Sequence, residues 1–233
     1  MNQDPFEERE ATKYEKPIPS REFILDFLAD SIGPLTHAEI CSALGLTDEQ
    51  QIEAMRRRLR AMERDGQVAR NRRESYGTLD KLNLVKGRVI GHPEGYGFIN
   101  PMQGDSDDIY LSSSQMRRVF DGDIVLVRIA GWDRRGRPEG RLVDVVQRNT
   151  SQLVGRYFNE SGINFVRADN PRISQDILIP NDRVGKAKAG QIVVVDVLEP
   201  PSRHSLPVGA VSEILGDHLD PGLEVDMSIR NYG

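Results

Sequence analysis

The spacing of apolar residues changes once along this chain, near Leu84. Before it, apolar positions recur every three to four residues, the period of a helix with one buried face. Ser20 is placed to cap a first helix carrying Phe23, Ile24, Phe27 and Leu28, and Gly33-Pro34 ends it. Thr36-His37-Ala38-Glu39 reads as a capping box opening a second helix, with Ile40 and Leu44 inward and Gly45 as a stop. Thr47-Asp48-Glu49-Gln50 reads as another, opening a longer third helix with Ile52, Met55, Leu59 and Met62 at helical spacing and Gly66 at its end. Residues 68–76, VARNRRESY, then read as a β-hairpin. Ahead of all this, residues 1–19 are charged and close on Lys16-Pro17-Ile18-Pro19, the pattern of a tail or short loose helix and a proline-stiffened linker.

Three helices followed by a hairpin is the order of a winged helix-turn-helix domain, expected over residues 20–83. Charge is uneven within it. From Ser20 to Met55 one Arg faces seven acids, whereas Arg56 to Arg73 holds eight Arg against Glu63 and Asp65. Arg56, Arg57, Arg58, Arg60 and Arg64 on the third helix, and Arg70, Arg72 and Arg73 on the wing, are candidate phosphate contacts. Two other readings stay open: a solvated, charge-rich helix face, and a winged helix that docks a protein partner.

Beyond Leu84 the period falls to two and strands dominate. The strand pattern occurs twice. Gly87-Arg88-Val89-Ile90 is echoed by Gly155-Arg156-Tyr157-Phe158, Gly95-Tyr96-Gly97-Phe98-Ile99 by Gly162-Ile163-Asn164-Phe165-Val166, and Asp108-Ile109-Tyr110-Leu111 by Asp176-Ile177-Leu178-Ile179. Residues 122–127 are echoed by 190–195, and every offset is 67 or 68 positions. One offset shared by several features predicts a duplicated barrel, the copies spanning 84–149 and 150–217, with 218–233 a connector containing a strand-like piece, Leu223 to Ile229.

The first copy carries the candidate chemistry. Tyr96 and Phe98 are two apart and so share one face of a strand, with Gly95 and Gly97 offering nothing to cover them. Tyr110 joins that face from the next strand while Ile109 and Leu111 point inward. Bare rings on an outer sheet form a stacking platform for unpaired bases. Packing is the competing use of each ring. Arg88 and His92 flank the rings as further candidates. The second copy has Ile163 and Leu178 where the first has tyrosines, and keeps Phe165, with Tyr157 as partial compensation. The first copy is therefore expected to grip bases and the second to shape a channel or touch backbone. Trp132, in the basic loop Trp132-Asp133-Arg134-Arg135-Gly136-Arg137, is expected to be a partly buried anchor, with base stacking as its other role.

These two strands, Gly-Tyr-Gly-Phe-Ile and Asp-Ile-Tyr-Leu, resemble the RNA-contacting strands of a cold-shock domain, a five-stranded OB barrel. The fold expected is thus α+β multidomain: an N-terminal winged helix-turn-helix, then two tandem cold-shock-like OB barrels.

Composition narrows the rest. The chain has 233 residues, a net charge of −5 and one cysteine, Cys41, so no intramolecular disulfide exists. No apolar run suits a signal peptide or membrane span, and a reduced, cytoplasmic setting is expected. His37, His92, His204 and His218 lack metal-ligand spacing, and Asp105, Asp107, Asp108, Asp121 and Asp123 read better as turn and cap residues than as an ion site. No catalytic constellation stands out.

The order of parts, with DPFEEREATKYEKPIPSREFIL, RRRLRAMERDGQV, GYGFI, DDIYLSS, SQLVGRYF and DILIP in place, resembles the front end of the ribonuclease II family of processive 3′→5′ exoribonucleases. The resemblance implies a hydrolase releasing nucleoside 5′-monophosphates. It also implies Mg²⁺ held by an aspartate cluster in a separate catalytic domain, and RNA partners both single-stranded and structured, entered from a 3′ overhang. No catalytic aspartate of that kind falls within the chain, which is expected to be inactive alone and to supply single-strand capture and duplex unwinding. A stand-alone cold-shock-type RNA chaperone or winged-helix regulator, with no hydrolase, is the alternative.

Overall fold

The computed structural model describes residues 4–13, 16–102, 107–133 and 135–217. The chain divides into two compact units, residues 1–86 and 87–233.

In the first unit, helix α1 (Glu7–Lys13) precedes α2 (Arg21–Asp30), strand β1 (Leu35–Thr36), α3 (His37–Ala43), α4 (Glu49–Arg64), β2 (Val68–Arg70) and β3 (Ser75–Thr78). The strands form an antiparallel sheet in the order β1-β3-β2, which makes the unit a winged helix. Ile24, Leu28, Ile40, Met55, Leu59, Met62 and Val68 form its core. Ser20 caps α2, and Thr36 and Glu39 close a capping box at α3. At α4 the cap is Asp48 rather than Thr47: its carboxylate accepts from the Gln50 and Gln51 N–H groups.

Two expectations for this unit need correction. The stretch ahead of α2 is not loose. Asp4 accepts from both the N–H and the hydroxyl of Ser20, Arg9 pairs with Glu22 at 2.8 Å, and Glu10, buried, pairs with Arg58 at 2.7 Å. Ile18 joins the core. Arg58 also donates to the Ile18 and Pro19 carbonyls, so one of the eight clustered arginines ties the chain's own front segment to α4.

In the second unit, β4 (Val85–Gly91), β5 (Gly97–Pro101), β6 (Ile109–Leu111), β7 (Ile124–Trp132) and β8 (Pro138–Gln147) close a barrel in the order β4-β5-β6-β8-β7. A short helix, α5 (Ser113–Met116), follows β6. A second barrel closes the same way from β9 (Gln152–Glu160), β10 (Ile163–Ala168), β11 (Asp176–Leu178), β12 (Gln191–Glu199) and β13 (Val208–Asp217). Each is closed by one parallel pairing, Tyr110 with Glu139 and Leu178 with Val208. This is the duplicated OB architecture that the repeat implies. The strand-like piece at 223–229, His218 and Asp105 lie outside the described residues.

The barrels pack on each other. The Gln175 side-chain amide, buried in the second, donates to the Met116 and Val119 carbonyls of the first, both at 2.7 Å. Arg148 bonds the Arg118 carbonyl, the buried Asp123 carboxylate and the Pro201 carbonyl.

Candidate nucleic-acid interface

Strand alternation puts Val89, Ile99, Ile109 and Leu111 inside the first barrel and Arg88, Ile90, Phe98 and Tyr110 outside. Phe98 lies directly opposite Tyr110 across β5 and β6, and opposite Ile90 across β4 and β5. The turn His92–Tyr96 adds two more rings. It is pinned by the Gly95 N–H donating to the His92 carbonyl and the His92 N–H donating to the Tyr96 carbonyl, with Gly95 at φ 86°.

The four rings form one cluster. His92 and Tyr96 stack with centroids 4.2 Å apart and planes 13° apart. Tyr96 meets Phe98 edge-on at 5.7 Å and Tyr110 at 5.7 Å, and Phe98 meets Tyr110 at 6.1 Å. All four are half-buried, since each ring covers part of its neighbour. Arg88 stands exposed on the same face, opposite Asn100.

Arg137 lies over this face, its guanidinium carbon 5.2 Å from the Phe98 centroid and 5.6 Å from that of Tyr110. Asp133 holds it there at 2.8 Å. The Arg137 N–H donating to Asp133 outweighs burial and keeps that carboxylate below the usual range, so the clamp stays charged. Arg137 sits 27 positions from Tyr110 in sequence, and only the parallel β6–β8 closure brings them together. Nearby, Trp132 is 69% exposed, which removes the expected anchoring role and leaves a bare ring at the end of β7.

The second barrel differs on the matching face. Phe165 is only 8% exposed, stacked on Phe158 at 5.3 Å with Arg167 over both rings. Phe158, not Phe165, is the more open ring. Tyr157 does not compensate for the missing tyrosines: it points into the core and its hydroxyl donates to Asn164 at 2.6 Å. Ile163, in the place of Tyr96, is 59% exposed.

On α4, Arg56, Arg57, Arg60 and Arg64 fall within roughly 100° of arc and are exposed. Arg56 and Arg57 share Glu53, Arg64 lies 3.7 Å from Asp65, and Arg70 pairs with Glu63 and Glu74. Among the described residues Arg60, Arg72 and Arg73 make no ion pair, and the last two sit at the wing turn held by Asn71. A second basic site went unnoticed in the sequence. Burial, with Arg203, Arg141 and Arg148 close by, lowers the Arg118 guanidinium pKa from its ordinary value. These four are scattered along the chain and converge only through folding.

No three His, Cys, Asp or Glu side chains are grouped to hold a metal ion among the described residues. Asp123 accepts from the Phe120 and Asn149 N–H groups and from Arg148, Asp121 from the Gly91 N–H, and Asp108 from Asn100. His37 bonds the Ile52 carbonyl. No described helix is long and apolar enough to cross a membrane.

A winged helix followed by tandem OB barrels, the first with open rings on its outer sheet, defines the class. Sequence families divide the chain in the same order: the ribonuclease R winged-helix domain matches residues 22–84, the ribonuclease B OB domain 87–145 and the cold shock domain 165–233. Ribonuclease R of Escherichia coli (strain K12) is 50% identical over 232 residues, covering 100% of this chain and 28% of that protein. Its Acidithiobacillus ferrooxidans relative is 45% identical, covering 99% and 52%. The chain belongs to the ribonuclease R family and corresponds to its N-terminal part, spanning about 28% of the length of the E. coli relative. The fold is also shared with the apo form of Mycoplasma genitalium RNase R (TM-score 0.56, 17% identity, 63% of this chain and 24% of that one). Yeast Ssd1, a pseudonuclease, is equally similar in fold (TM-score 0.56, 16% identity, 66% and 25%).

Proposed function

We propose that this chain is the RNA-binding front portion of a 3′→5′ exoribonuclease, which captures single strands and helps to open duplexes. The observation that carries the reading is the cluster of His92, Tyr96, Phe98 and Tyr110 on the outside of the first barrel, bordered by Arg137 and Arg88. Every base has a π-face, so such a cluster holds single strands with little regard to sequence. Arginines on α4, on the wing and around Arg118 meet the phosphates, which position the strand without reading it. Preferential hold on the unpaired form shifts a duplex towards opening without ATP, because a ligand moves an equilibrium by its differential affinity.

In this reading RNA enters from a 3′ overhang. Cleavage, with Mg²⁺ as its metal, belongs to the length of the relatives that this chain does not span, and the setting is cytoplasmic. The likeness to both a nuclease and a pseudonuclease supports assigning capture, and not cleavage, to these domains. A protein partner at the winged helix is the second reading, favoured by the ion pairs that occupy Arg56, Arg57, Arg64 and Arg70.

The test is binding of single-stranded and duplex RNA to the wild type and to Tyr96→Ala and Phe98→Ala. Loss of about 1–3 kcal/mol per ring on single strands is expected, with little change on duplex. Unchanged single-strand affinity in both variants overturns the reading. Removing residues 1–86 at two salt concentrations separates the roles of the winged helix: an unchanged affinity and salt slope assigns that unit to a protein partner.

A further inference from the structure

The turn that carries His92 and Tyr96 is wedged against the second barrel. A Cβ on Gly91 would lie 2.3 Å from the Arg172 carbonyl oxygen, so the backbone of the 170–175 loop touches the root of the turn. At its tip, a Cβ on Gly95 would lie 3.9 Å from Ser113 Oγ and 3.9 Å from Ser174 Oγ, one from each barrel. The same loop reaches the rings by a second path. Gln175, buried, donates to the carbonyls of Met116, the last residue of α5, and Val119 just beyond it. Met116, itself buried, has its sulfur 2.5 Å from where a Cβ of Gly97 would be, and Gly97 separates Tyr96 from Phe98. The loop has its own internal lock, the Arg172 N–H donating to Asn170. Asp121, which accepts from the Gly91 N–H, faces Arg172 at 4.0 Å.

We propose that the 170–175 loop of the second barrel sets the geometry of the first barrel's rings, with Gln175 as the positioning residue that couples the two. The claim rests on the reading of the rings as an RNA platform. It gives the ring-poor barrel a task that its own outer face does not reveal. A single amide with both hydrogens bonded to carbonyls of another domain is a rigid fastener, and buried carbonyls deprived of it must find other donors. Gln175 touches no base in this scheme; it acts through Met116 and the turn. Its removal leaves every ring and every arginine in place and changes only how well the rings are aligned.

The test uses the whole 233-residue chain. Gln175→Met keeps the volume and removes both donors. Its single-strand affinity is expected to fall roughly fivefold or more, with the salt slope unchanged because no phosphate contact is lost. In a Tyr96→Ala background the same substitution should add less than about twofold, since the ring it positions is gone. Equal losses in both backgrounds, or wild-type affinity, overturn the proposal. The ring-current shift of the His92 protons, which reports the stack on Tyr96, is expected to move in Gln175→Met without RNA; an unmoved shift also overturns it. Gly91→Ala, which pushes on the Arg172 carbonyl from the other side, should reproduce both effects. If neither variant folds, the unaltered protein decides. Saturating single-stranded RNA is expected to displace the Gln175 side-chain amide signals, and signals that stay put refute the coupling. Failure of the platform reading is distinguishable, because Tyr96→Ala would then bind as the wild type while the His92 shift still reports on positioning.

Discussion

The two barrels share strand order, closure and repeat spacing, yet their outer faces diverge. In the first, four rings cluster: His92 stacks on Tyr96, and Tyr96, Phe98 and Tyr110 meet edge-on or tilted beneath Arg137. In the second, Phe158 and Phe165 stack flat and Arg167 roofs them. Closing the barrel depends on inward positions such as Ile99 and Ile109 in one copy and Val166 and Ile177 in the other. At outward positions only the backbone takes part in closure and the side chain fills no core, so one copy can carry rings while its twin carries Ile163 and Leu178. A turn shows the same principle. Asp123 accepts from the Phe120 N–H, and 68 positions on Gln191 accepts from the Lys188 N–H, both at 2.9 Å. The first copy has buried that acceptor as a charge beneath Arg148; the second leaves it neutral and near solvent.

The largest asymmetry is expected here, in stability. Asp123→Ala removes the carboxylate that faces Arg148 and the acceptor of two N–H groups, and should cost about 3 kcal/mol in urea unfolding, against about 1 kcal/mol for Gln191→Ala. Equal costs would show that the buried charge adds nothing to the shared turn. Next is the ring contrast: Phe98→Ala should weaken single-strand binding about 5- to 150-fold and Phe158→Ala by no more than about threefold, read by fluorescence anisotropy. Grafting the tyrosines across as Ile163→Tyr with Leu178→Tyr should tighten binding by about 1 kcal/mol if the outer face alone makes the difference. The smallest effect is expected at the clamp. Asp133→Asn should free Arg137 and weaken binding about twofold. The Asp133 pKa is depressed on folding, so the clamp is intact above the ordinary carboxylate range and is lost only as pH falls through the lower folded value. The ratio of wild-type to variant affinity should therefore be constant from about pH 8 to about pH 5.

What the sequence disclosed follows from which forces are local. Capping at Ser20 and Thr36, the stop at Gly66 with φ 65°, and the alternation that buries Ile109 and Leu111 around Tyr110 are encoded within a few residues. The position of Arg137 over the rings is not, because it requires closure between strands far apart in the chain. The same holds for the convergence of Arg118, Arg141, Arg148 and Arg203. Arg58 belonged by composition to a basic surface and by packing to the interior, held by Glu10 48 positions earlier. Trp132 departs from the covered position usual for tryptophan because β7 runs on past the region where Val125 and Val127 are buried, and its last residue is left 69% exposed. Phe165 matched Phe98 in spacing, but it was roofed by Phe158, whose counterpart in the first copy is the smaller Ile90.

One pairing, Tyr110 with Glu139, fastens the last gap of the first barrel. The residue at that narrow clasp is also one on which a nucleotide would rest. A nucleotide on Tyr110 would bear on the β6–β8 joint, and loading should therefore slow amide hydrogen exchange along β6 and the start of β8 ahead of the rest of the wall.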